Sequence, residues 1–153
     1  MNTIKDLAIL VGLVAALWGL YKGVVEFRLQ GTQKRAEIFL KKQGEYFGNK
    51  AFNEIRTLLE TDSEALRSIS VEDKRAYLTF FEEVAILRNS KLLNDSLAFY
   101  MYGYYAAMCV QSEHFWSNIS KDEAYWVVFL SFAESMRDRL VKDKEVVRGD
   151  IEV

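Results

Sequence analysis

Residues 7–21, LAILVGLVAALWGLY, are uncharged and apolar around the full circumference of a helix, so a helix made from them needs cover on every side. Extended from Ile4 to Val25, it measures about 33 Å at 1.5 Å per residue, against a bilayer hydrocarbon core of ~30 Å. Lys22 then lies near one interface, where its stem can snorkel. The Leu, Ile and Val residues between positions 7 and 25 favour insertion by roughly 3–6 kcal/mol before the glycines and Lys22 reduce it. The pattern predicts a single-pass transmembrane helix; a cleaved signal and a helix buried in a core or a partner are the alternatives. The sequence lacks a basic n-region and a well-placed small-x-small site.

Beyond this segment the apolar spacing stays helical. RLQGTQKRAEIFLKK contains Gly31 as its single breaker and continues the helix as a stalk, with a bend expected at Gly44, Gly48 and Asn49. KAFNEIRTLLET then places Ala51, Phe52, Ile55, Leu58 and Leu59 on one face. Thr61–Ile69 reads as a connection with a short helical turn. Ser70 and Asp73 form a capping box opening a helix to Arg88, with Tyr77, Phe80, Phe81, Val84 and Ala85 inward. After a turn at Ser90–Asn94 comes SLAFYMYGYYAAMCVQS, uncharged throughout. Its tyrosines suit hydrocarbon poorly, because a buried phenol needs a hydrogen-bond partner, so it is expected to be the central helix of a bundle. Ser120 and Glu123 predict a last capping box, starting a helix that buries Trp126, Phe129, Leu130, Ala133, Met136 and Leu140.

The predicted fold is all-α: an anchor at 1–27, a helical stalk at 28–48, a cytoplasmic bundle of about four helices at 49–144, and a charged tail at 145–153. Composition agrees with it. The chain has 153 residues, 50% hydrophobic residues and no proline, which favours long helices over disorder or a turn-rich sheet.

The net charge of −2 conceals a basic run. Residues 22–42 carry Lys22, Arg28, Lys34, Arg35, Lys41 and Lys42 against Glu26 and Glu37. Following an apolar segment, Lys22, Arg28, Lys34 and Arg35 read as the membrane-flanking bases that hold the adjoining domain in the cytoplasm. The expected location is the inner membrane, single-pass, with the N-terminus outside. The run has no interleaved aromatic platform, so nucleic acid is not an expected partner.

The anchor is also two-faced. On a helical wheel Ala8, Gly12, Ala15, Ala16, Gly19 and Gly23 share an arc of about 100°. Leu10, Leu17, Tyr21, Val24 and Val25 lie opposite. Such small-residue faces let helices approach closely in lipid, which predicts a homo-oligomer or packing on another membrane protein.

Catalytic motifs are absent from the pattern: there is no Gly-rich phosphate loop, zinc spacing, nucleophile elbow or EF-hand loop. Cys109 is the single cysteine and His114 the single histidine. Five helical residues separate their directions by about 140°, so they do not form a nucleophile–base pair. Glu82 and Glu83 fall away from the apolar face and read as solvated acids. Arg88 stands within about 20° of the Tyr77 direction, closing the buried face with a charge, either to satisfy the helix C-terminus or to anchor an acid from a neighbouring helix or subunit. No cofactor or metal is expected.

The block FFEEVAILRNSKLLNDSLAFYMYGYYAAMCV, with the later WVVFLSFAESMRDRL, resembles an uncharacterised bacterial group of small helical proteins with an N-terminal membrane segment. The resemblance covers roughly residues 72–140 and implies no activity. These readings together point to a non-enzymatic, membrane-anchored helical module acting through lipid or protein partners. The alternatives are an oligomeric pore-type effector of a bacterial or phage defence system, and a membrane-tethered hydrolase or nuclease.

Overall fold

A computed structural model describes the backbone of residues 3–149 and the side chains of residues 12–122 and 124–142. It is all-helical, with no strand among the described residues. The chain divides into two compact units, residues 1–38 and residues 39–153.

The first unit is one helix, the N-terminal part of α1 (Thr3–Gly48). Every side chain from 12 to 37 is exposed. Contacts within it are local: Thr32 Oγ1 donates to the Arg28 carbonyl at 3.1 Å, and Lys34 pairs with Glu37 at 3.3 Å. Gly31 does not interrupt the helix. Alanine-like freedom from side-chain clash on a solvent-facing helix leaves its cost at about 1 kcal/mol, too little to break so long an element.

The second unit starts with the last turns of α1 and adds α2 (Lys50–Glu60), a 3₁₀ turn (Glu64–Ser68), α3 (Val71–Asn89), α4 (Asp95–Ala98), α5 (Tyr104–Gln111), α6 (Glu113–Trp116) and α7 (Glu123–Gly149). A π-helical segment, Phe99–Gly103, joins α4 directly to α5. The predicted bend narrows to one residue: α1 runs through Gly44 to Gly48, and Asn49 caps α2, its Oδ1 accepting from the N–H of Ala51 (2.9 Å) and Phe52 (3.3 Å). The Ser70 cap forms as expected, Ser70 Oγ accepting from the Asp73 N–H at 3.0 Å. The Ser120 cap does not. Asp122 takes that role, its Oδ1 accepting from the Ala124 N–H at 2.9 Å, while the Ser120 carbonyl accepts from Trp126 Nε1 at 3.2 Å. A carboxylate two residues nearer the helix competes better for its free N–H groups than a hydroxyl.

The core is aromatic. Tyr46, from the end of α1, is stacked on Phe80 at 5.0 Å between centroids and meets Tyr102 edge-on at 5.2 Å. Its hydroxyl lies 3.2 Å from that of Tyr77, and the two phenols share one hydrogen bond away from water. Burial pushes both phenols well above the ordinary tyrosine range. Phe52, Phe81, Phe115, Phe129 and Phe132 complete the cluster. Every residue expected to face inward from α3 is buried, and so are Phe52, Ile55 and Leu59 from α2.

SLAFYMYGYYAAMCVQS is not enclosed on all sides. Tyr100 is 82% exposed and Tyr104 50%, whereas Tyr102 and Ala106 are fully buried. Gly103 explains the close fit on the buried side: a Cβ there would stand 3.0 Å from both Met136 Sδ and Phe99 Cδ2. The wider π turn supplies one extra residue, with Tyr102 and Gly103 on its buried side and Tyr100 facing out.

Candidate functional site

Two features stand apart from ordinary packing: the bare N-terminal helix and a charged clamp at Arg88. Leu13, Val14, Leu17, Trp18, Leu20, Tyr21, Val24, Val25, Phe27 and Leu29 are all between 46% and 79% exposed. Gly12, Gly19 and Gly23 each have nothing within 4 Å of an added Cβ, and Ala15 and Ala16 are exposed beside them. The flanking bases Lys22, Arg28, Lys34 and Arg35 are exposed as well. Ala8, and with it the side chains of Leu7, Ile9, Leu10 and Val11, lies outside the residues whose side chains are described. Among the described residues no helix is long and apolar enough to cross a membrane.

Arg88 sits in the last turn of α3, and its partner is an acid from a neighbouring helix. Its Nε donates to Asp95 Oδ1, and its Nη2 to Ser135 Oγ on α7 at 3.2 Å. Asp95 opens α4 directly after the Asn94 cap, and its second oxygen accepts from Arg139 Nη1 on α7 at 2.9 Å. Arg139 also covers the Phe99 ring at 4.2 Å. One carboxylate therefore ties α3, α4 and α7 together through two guanidinium groups. Of these three ions, only Arg88 stood out in the sequence. Asp95 and Arg139 carry no periodic signal, because each keeps a solvent-side position, with side chains 53% and 34% exposed.

Lys74 is a buried cation that the pattern concealed. It is fully buried, with Nζ donating to Asn118 Oδ1 at 2.6 Å and lying 5.5 Å from the Phe115 centroid. Burial lowers its pKa below the ordinary lysine value, with the Cys109 thiol a smaller opposing influence. The available signal was its place one turn before Tyr77 and Leu78, on the inward face of α3.

The other candidates are separated. Cys109 is fully buried, and burial pushes its thiol well above the usual range, so it is no thiolate. His114 Nδ1 instead accepts from Arg67 Nε at 3.1 Å. Glu83 is exposed and pairs with Lys42, in line with a solvated acid. Glu82 is half-buried, and that burial raises its pKa, so it is less solvated than its helical position suggested. Tyr102 Oη is buried without a hydrogen-bond partner among the described residues, and burial carries its phenol to about 12. Among the described residues no three of His, Cys, Asp and Glu are grouped to hold a metal ion. The chain matches no family model, no curated protein and no solved structure.

Proposed function

We propose that this chain is a membrane-anchored, non-enzymatic helical module that self-associates and acts through protein partners or on the membrane. The observation that carries the reading is the row of large apolar side chains from Leu13 to Leu29, each at least 46% exposed. Keeping such side chains in water forfeits on the order of 1.5 kcal/mol or more apiece relative to full burial, so a cover is strongly favoured. Lipid is the cover that suits a helix apolar on every side and followed by bases. Residues 12–25 alone reach about 21 Å, and the span becomes long enough only when it includes Ile4–Val11.

The inner membrane is the proposed location, with the N-terminus outside and the second unit in the cytoplasm. The small-residue face supplies the self-association surface. The test is chemical cross-linking of the full chain in membranes, comparing the native sequence with one in which Gly12, Ala16, Gly19 and Gly23 are replaced by Leu. A ladder of oligomers that shrinks in the variant supports the anchor interface. A ladder unchanged by the four substitutions removes it.

A further inference from the structure

Residues 22–35 carry four bases, Lys22, Arg28, Lys34 and Arg35, against the single acid Glu26, in a chain whose net charge is −2. All five side chains are exposed. Lys34 is spent locally, paired with Glu37 at 3.3 Å. Among the described residues neither Arg28 nor Arg35 belongs to an ion pair. Around the helix, Arg28, Thr32 and Arg35 fall within about 60° of one another, while Glu26 lies about 160° from Arg28. The two arginines therefore share a face that the acid does not.

That face is oriented along the helix as well as around it. Arg35 Nη2 donates to Thr32 Oγ1 at 3.5 Å, and Thr32 Oγ1 donates to the Arg28 carbonyl at 3.1 Å. The Arg35 guanidinium is thus drawn back one turn toward Arg28 and the N-terminus. Gly31, on the same side, has nothing within 4 Å of an added Cβ, so the space between the arginines is open. With the hydrocarbon ending at Val25, Arg28 stands about 4.5 Å further along the axis, inside a headgroup layer of about 5–7 Å. Phe27 and Leu29, 79% and 57% exposed, flank it with apolar side chains that favour the boundary over water. Thr32 stands about 10 Å out, which keeps the drawn-back Arg35 within a Debye length of about 8 Å of the phosphates.

We infer that the Arg28–Arg35 face of α1 binds the phosphate headgroup of an anionic phospholipid and gives the anchor a preference for acidic over zwitterionic lipid. The inference rests on the membrane reading of Ile4–Val25 and names the lipid at its cytoplasmic boundary. Arg28 supplies the direct, fork-shaped contact to phosphate, and Arg35 adds attraction from the outer edge of the headgroups. A zwitterionic headgroup offers the same phosphate, but its ammonium offsets the attraction. The acid that would repel the lipid, Glu26, is turned to the other side of the helix.

The test reconstitutes the full chain in phosphatidylcholine bilayers doped with lipid brominated on its acyl chains, either phosphatidylcholine or phosphatidylglycerol, and reads the quenching of Trp18. This residue, 64% exposed, lies about 10 Å inside Val25, where the chains of a lipid held at Arg28 run. A Trp18→Phe chain supplies the signal of Trp116 and Trp126 for subtraction. Quenching by either lipid reports insertion, and the ratio of the two at equal mole fraction reports preference. The native chain should enrich phosphatidylglycerol by at least about twofold, less so in high salt. Arg28→Gln combined with Arg35→Gln, both at exposed positions, should bring the ratio to one, whereas Lys34→Gln should leave it. No quenching by either lipid would remove the anchor itself, and this assignment with it. Quenching by both lipids alike would overturn the assignment alone, as would a preference that survives the double glutamine variant or is lost equally in Lys34→Gln. A single-stranded oligonucleotide bound by the native chain while both lipids quench alike would give the arginines to nucleic acid instead.

Discussion

Replacing Lys74 with methionine is expected to stabilise the bundle at neutral pH. The lysine is fully buried and, among the described residues, its ammonium has one protein acceptor, Asn118 Oδ1, with the Phe115 ring as its other support. None of the ion pairs among the described residues includes it. Methionine keeps the length and flexibility of the stem while removing the charge, and the exposed Asn118 can turn its freed oxygen to water. Exchanging a poorly compensated buried ion for an apolar isostere gains about 1–3 kcal/mol. For a unit of this size, that is on the order of 5–10 °C in Tm.

The gain depends on pH with a definite sign. Burial lowers the folded-state pKa of Lys74 below 10.5, so the unfolded chain holds the proton more tightly. The burial penalty is therefore complete below the folded pKa and fades as pH rises from that value toward 10.5. Urea or thermal unfolding of the full chain, followed by circular dichroism, should show the variant ahead at pH 7 and the difference contracting near pH 10.5. A Lys74→Ala control, which empties the space of the stem, should lose most or all of the benefit. A methionine variant less stable than the native chain at pH 7 would refute the reasoning, because it would place the Asn118 and Phe115 contacts above the desolvation cost.

The remaining expectations concern the clamp, two glycines and the thiol. Asp95→Asn removes both arginine pairs, but Arg88 and Arg139 keep side chains 24% and 34% exposed. Water takes over part of their solvation, so the loss should be about 1–2 kcal/mol and should shrink in high salt when measured by urea midpoint. Gly103→Val should cost about 2 kcal/mol or more in the same assay, since Met136 and Phe99 already crowd a Cβ there. Gly44→Ala, with nothing within 4 Å of the new methyl group, should instead gain about 0.5–1 kcal/mol. Cys109 should resist a thiol-specific reagent in the native protein and react promptly in urea, because it is fully buried and its thiol is held protonated.

The inward faces of α2 and α3 were legible because regular apolar spacing and side-chain caps act within one helix, and both Asn49 and Ser70 stand where such caps are made. What escaped depended on partners distant in sequence. The π turn at Phe99–Gly103 packs its Gly103 against Met136, a residue on another helix, and periodicity at 3.6 residues has no means of registering an inserted one. A helix without charges looked enclosed, yet tyrosine tolerates water at its hydroxyl end, and Tyr100 and Tyr104 face outward. At the clamp, the burial angle of Arg88 was readable, and an acid from a neighbouring helix was one of the two roles it left open. Which acid answered it was not, because Asp95 is positioned by a turn and shared with Arg139 across a separation of 44 residues. Lys74 was passed over for the opposite reason: its position was inward, but its residue type suggested solvent.

The central claim concerns the bare helix from Leu13 to Leu29, and membrane extraction tests it most directly. Membranes from cells expressing the full chain are washed with alkaline carbonate and then with a mild detergent. An integral anchor keeps the protein in the carbonate pellet and releases it only into detergent. Recovery of the full chain in the high-speed supernatant, or its release by carbonate alone, would contradict the anchor and leave the exposed apolar row to be covered by protein.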